Sequence, residues 1–148
     1  MILIAYDGTR SAERAILVAG SLLGGGRARV VHVWQPAATL QDGAAFVSAA
    51  AIVDDEVARQ EDEAREVAEA GAVLARAAGF DAESTLVLGD GSAASALEAE
   101  IDRCKPELVV IGSRGLSGIK AALKGSVAHH LGAHSHAPVL IVPTDESS

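Results

Sequence analysis

Along this chain, short unbroken apolar runs alternate with longer stretches in which apolar residues recur every three or four positions. Ile2-Leu3-Ile4-Ala5 is the first such run, and residues 2–6 are predicted as a strand. Asp7-Gly8-Thr9 then makes a turn suited to starting a helix. Ala12, Ala15, Ile16, Ala19, Leu22 and Leu23 follow on one helical face, until Gly24-Gly25-Gly26 ends the segment. Val30, Val31 and Val33 mark a β-branched second strand over 29–34. Residues 54–78 give the clearest helix: Val57, Ala64, Val67, Gly71, Leu74 and Ala78 trace one face and Gly79 ends it. Asp54, Asp55 and Glu56 stand at its start, where unpaired amides favour negative charge. Asp55 with Arg59 and Glu61 with Arg65 are spaced as i,i+4 ion pairs.

A third strand is predicted over 84–88. Ser92 caps the helix that follows, with Ala93, Leu97, Ile101 and Cys104 on its inner face and Lys105-Pro106 at its end. Leu108-Val109-Val110-Ile111 is the fourth strand, 126–134 a short helix and 139–142 the fifth strand. Five strands, the first four each leading into a helix, predict an α/β fold with a parallel sheet covered on both faces. Residues 35–51 lack a period and are predicted as a long loop with room for a helical turn, open to two readings, a lid over the sheet or a plain connector.

The length of 148 residues suits one domain spanning 1–148. A single cysteine, Cys104, excludes an internal disulfide framework and reads as a small buried residue near a helix end. Twelve basic against twenty acidic residues give a net charge of −8, which argues against nucleic acid and anionic membranes as partners. The strand at the very start and the lack of an apolar run near eighteen residues predict a cytoplasmic protein with no membrane segment. Any anion site must therefore work through local donors.

Such donors are offered by Gly112-Ser113-Arg114-Gly115, followed after nine residues by Gly125-Ser126 and Val127. Glycine lets the backbone approach a ligand closely, and a helix beginning at Ser126 adds unpaired N–H groups and partial positive charge. A few charge-assisted hydrogen bonds, each about 1.5–3 kcal/mol net, suffice for a polyphosphate at about micromolar affinity. Walker-type, dinucleotide-type and nucleophile-elbow spacings are all missing from the chain, and no residue reads as catalytic.

Gly-x-x-Gly, nine residues, then Gly-Ser resembles the nucleotide-binding signature of the universal stress protein family, in its ATP-binding branch. The resemblance extends to the opening strand and its Asp-Gly-Thr turn, to Gly89-Asp90 and to the closing strand, 138–143. It implies a five-stranded, Rossmann-like three-layer α/β/α fold with strand order 3-2-1-4-5. It also implies ATP as ligand, with Mg2+ or Mn2+ held mainly by the phosphates, and no metal site of the protein's own. The implied nucleotide-binding residues are Asp7 at the ribose, Ala5 and Val33 at the adenine, Gly112, Ser113, Arg114, Gly115, Leu116, Ser117 and Gly118 along ribose and phosphates, and Gly125, Ser126, Val127 and Ala128 at the outer phosphates. The chemistry suits these roles, since a strand-end carboxylate accepts ribose hydroxyls and small apolar residues fit a flat purine. A homodimer through 138–143 is implied too, where a bare apolar edge strand would otherwise invite aggregation. The function expected is that of an ATP-binding stress or signalling factor with at most slow hydrolysis. A nucleotide-independent dimeric interaction module and a cyclic AMP binder are the alternatives.

The remaining polar residues read more plainly. His32 is expected to be a satisfied strand histidine, and Asp90 either shapes its turn or approaches a ligand. Arg114, Lys120 and Lys124 read as solvated, with phosphate contact as the other reading. Among the late histidines only His130 and His134 share an i,i+4 spacing, and no structural zinc is expected.

Overall fold

A computed structural model describes residues 1–37, 48–114 and 127–144, with the backbone alone over 48–53. Its elements in chain order are β1 (Ile2–Ala5), α1 (Arg10–Leu23), β2 (Gly26–Trp34), α2 (Ser48–Ala77), β3 (Phe80–Leu88), α3 (Ala93–Cys104), β4 (Leu108–Gly112), α4 (Val127–His134) and β5 (Val139–Val142). All five strands join one parallel sheet in the order β3-β2-β1-β4-β5, as the resemblance implies. β1 is central, with Ile4 aligned to Val30 on one side and Val110 on the other.

The two faces of the sheet are covered by different helices because successive side chains of a strand point to opposite sides. Ile4, Val30 and Val110 pack with Ala12, Ala15, Ile16 and Ala19 of α1 and Ala72 and Ala75 of α2. Leu3, Ala5, Val31, Val109 and Ile111 pack with Leu97 and Ile101 of α3 and Ala128 and Leu131 of α4. Each large aliphatic side chain buried in this way stabilises the fold by about 1.5–3 kcal/mol. Alanine lines the inner faces of α1 and α2, so these helices sit close to the strands. At Gly71 of α2 a Cβ would stand 2.6 Å from Cδ1 of Tyr6.

Several local expectations are corrected. α2 begins at Ser48, six residues before the predicted start, so part of the predicted loop 35–51 is helical and Asp54, Asp55 and Glu56 lie beyond its first turn. Ala49, Ala50 and Ala51 favour helix strongly without giving any polarity period. β3 begins at Phe80 rather than Ser84, because Phe80 and Ala82 point into the core while Asp81 and Glu83 point out. β2 begins at Gly26 to match it, and the two pair continuously from Gly26↔Phe80 to Trp34↔Leu88. On α1 the apolar face stops short: Leu22 and Leu23 are 66% and 42% exposed. Ala93 is exposed at the start of α3, whereas Leu97 and Ile101 are buried as predicted. Arg59 pairs with Glu56 and Glu63 instead of Asp55, while Arg65 does pair with Glu61.

Candidate functional site

The order of strands reverses at β1, since the chain moves outward through β2 and β3 and then returns to β4 on the other side. α1 and α4, the helices that follow β1 and β4, lie on opposite faces of the sheet, and in such sheets ligands bind at the carboxyl ends of the two strands where the order reverses. Asp7, Gly8 and Thr9 follow β1 there, and Gly112 ends β4, with Ser113 and Arg114 after it.

On the β1 side, Asp7 is fixed by the residue that starts α1. Its Oδ1 accepts from the Thr9 backbone N–H at 3.0 Å and from the Thr9 hydroxyl at 2.5 Å. Thr9 is the N-cap of α1, and its Oγ1 in turn accepts from the Ala12 N–H at 3.3 Å. Beside it the Tyr6 ring is buried, and burial raises the phenol above its ordinary value, with the Glu13 and Asp7 carboxylates pushing the same way. His32 lies 2.9 Å through Nδ1 from the Tyr6 carbonyl oxygen, so the expectation of a satisfied strand histidine holds.

On the β4 side, Gly112 packs directly on Ser11 of α1, and the Ser11 hydroxyl accepts from the Arg114 N–H at 3.2 Å. Ser113 reaches the other way: its N–H donates to the Val142 carbonyl at 2.9 Å, and its hydroxyl accepts from the Thr144 N–H at 3.3 Å. The first residues of the glycine signature are thus tied to α1 on one side and to β5 on the other.

Of the predicted site residues, Ala5 is buried at the end of β1, opposite Val31, and the half-buried Val33 lies two residues further along β2 on the same face. Val127 and Ala128 form the first turn of α4, with the Ala128 side chain in the core beneath it. Gly115, Leu116, Ser117, Gly118, Gly125 and Ser126 lie outside the described residues, as do Lys120 and Lys124. Asp90 is exposed in a turn beside Gly91, whose φ is +87°. Thr9 and Ser11 were not among the predicted site residues, although they fix Asp7 and Arg114. Ser11 is 5% exposed, and a hydroxyl in the first turn beside Ala12 and Ala15 was its one sequence signal. Among the described residues no cluster of three or more His, Cys, Asp or Glu side chains is placed to hold a metal ion. No helix among them is long and apolar enough to cross a membrane.

A doubly wound α/β sheet with a carboxylate and a glycine turn at its switch point defines a class of ligand-binding domains. The universal stress protein family model matches residues 1–143, and the chain belongs to that family. It is 33% identical over 144 residues to a universal stress protein of Thermus aquaticus, covering 95% of this chain and 96% of that one. It is also similar to a universal stress protein solved in complex with cAMP, at 26% identity, TM-score 0.64, and 95% and 94% coverage. The Archaeoglobus fulgidus universal stress protein solved in complex with dAMP has the same fold, at 21% identity, TM-score 0.65 and 95% coverage of each chain.

Proposed function

We propose that this chain is an ATP-binding universal stress protein of the cytoplasm, acting as a nucleotide-dependent stress or signalling factor. The observation that carries the reading is the convergence on α1 of Asp7, held by Thr9, and of the β4 exit, held by Ser11. Asp7 accepts ribose hydroxyls, Ala5 and Val33 flank the adenine, and backbone N–H groups from Gly112 to Gly118 and from Gly125 to Ala128 donate to the phosphates. Mg2+ or Mn2+ is carried mainly by phosphate oxygens. Hydrolysis is at most slow. Two copies associate through the edge strand β5.

Calorimetry of the nucleotide-free protein with ATP and Mg2+ tests this, with binding expected near about micromolar Kd. No heat, together with no nucleotide released from the freshly purified protein on denaturation, overturns it. The complex of a relative with cAMP supports a second reading, in which cAMP is the ligand. Competition between the two nucleotides decides between them.

A further inference from the structure

We infer that Glu98 of α3 and His130 of α4 form an open site for a divalent first-row transition ion of octahedral or tetragonal preference, Ni2+ being the probe. The inference does not depend on the nucleotide reading. Nε2 of His130 lies 3.0 Å from Oε1 of Glu98. That nitrogen is closed off from solvent and yet makes no hydrogen bond, because at this short distance the contact is too bent for one. Neither protonation state of the nitrogen suits such a contact. A proton there points past the carboxylate oxygen, and a bare nitrogen sets one lone pair against another.

A metal ion suits it, and the spacing is the one such an ion needs. Two ligand atoms about 2.1 Å from one ion and about 90° apart lie about 3.0 Å from each other, with the ion about 45° off the line that joins them. The same offset carries a proton on that nitrogen out of line with the oxygen, so the bent contact and the short distance have one explanation. His134 sets the direction of the lone pair. Its ring stacks on that of His130, with centroids 4.5 Å and planes 27° apart, and its Nδ1 lies 3.0 Å from the His130 carbonyl oxygen. A carbonyl only accepts, so this Nδ1 donates and holds the stacked ring in place. The His130 and Glu98 side chains are 39% and 33% exposed, which leaves an ion a way in from solvent. No third His, Cys, Asp or Glu is placed to complete the set among the described residues, so water takes the remaining positions. With one ligand on each helix, the bound ion ties α3 to α4.

Calorimetry of the nucleotide-free full chain with Ni2+ tests this in wild type, Glu98→Gln, His130→Gln and Cys104→Ser, with melting curves to confirm folding. Wild type and Cys104→Ser are expected to take up one ion with the same Kd. Glu98→Gln and His130→Gln should each weaken binding by about tenfold or more, since each removes one of two protein ligands. Ni2+ should also raise the melting temperature of wild type and leave that of both ligand variants unchanged, because an ion held only by the folded pair favours folding. Mg2+, which prefers oxygen ligands, should not compete. No uptake of Ni2+ by wild type, uptake by both folded ligand variants within about threefold of wild type, or displacement by equimolar Mg2+ overturns the site and leaves the nucleotide reading untouched.

Discussion

Gly112 and Ser11 touch where β4 meets α1: a Cβ at position 112 would lie 2.4 Å from the Ser11 hydroxyl oxygen and 2.7 Å from its carbonyl oxygen. The second atom belongs to a helix backbone and cannot swing away. Gly112→Ala should therefore cost about 1–3 kcal/mol, the range for overpacking a close-packed site. Urea unfolding reads this as a lower midpoint, and the same variant should bind nucleotide more weakly because Arg114 is displaced from Ser11. An unchanged midpoint would show that α1 moves aside freely.

Gly71 stands in the same relation to Tyr6, with Val30 Cγ1 a further 2.8 Å neighbour of the added carbon. Gly71→Ala is expected to lose about 1–3 kcal/mol, against less than about 0.5 for Val73→Ala on the exposed side of the same helix. Thermal unfolding of the pair would check the contrast, and similar losses from both would contradict it.

Tyr6 is the chain's single tyrosine, so tyrosinate absorbance reports it alone. Burial, then Glu13, then Asp7 raise its pKa above the ordinary tyrosine value of 10.0. A raised value stabilises the fold below the unfolded pKa, and that contribution disappears as pH climbs through the folded one. The titration midpoint of the folded protein should accordingly lie above the ordinary 10.0, with stability falling as pH passes through it. Asp7→Asn should lower the midpoint by removing one of the two carboxylates. A tyrosine titrating at its ordinary value in the folded protein would refute the assignment.

Glu100 on α3 is 6% exposed and holds Arg103 through both carboxylate oxygens, at 2.8 and 2.5 Å, with Arg29 at 3.6 Å. Glu100→Ala should cost about 1–3 kcal/mol, since hydrogen bonds from charged partners are lost at a buried position. Glu61→Ala, which breaks a solvent-facing pair on α2, should cost less than about 1 kcal/mol and respond to salt. Chemical denaturation at two ionic strengths distinguishes the two, and equal costs would count against the burial argument.

The edge strand β5 exposes Ile141, at 40%. If two copies pair there, light scattering at micromolar concentration gives two chains per particle for wild type and one for Ile141→Lys, because an edge charge disfavours strand pairing. One chain per particle in the wild type ends the dimer proposal.

What the sequence disclosed depended on whether a signal was local. Ile2 to Ala5, Val30 to Val33 and Val109 to Ile111 are dense apolar runs, and each lies in a strand. The order of those strands came from the resemblance, since no single segment says which neighbour it pairs with. The start of α2 was missed because a run of alanines has propensity but no period. The start of β3 was missed because Asp81 and Glu83 broke an apolar run that was in truth alternating. Ser11 was overlooked for a different reason: it acts on Arg114, 103 positions away, and only the sheet brings them together. Asp7 was named through the resemblance, whereas its being held by Thr9 depends on atomic distances.

The reversal of strand order at β1 has an evolutionary consequence. Where a guest molecule settles is decided by how the chain is threaded, and which guest it is depends on a few positions in connecting segments. Descendants of such a scaffold are free to change their clientele by editing those segments while the address stays the same.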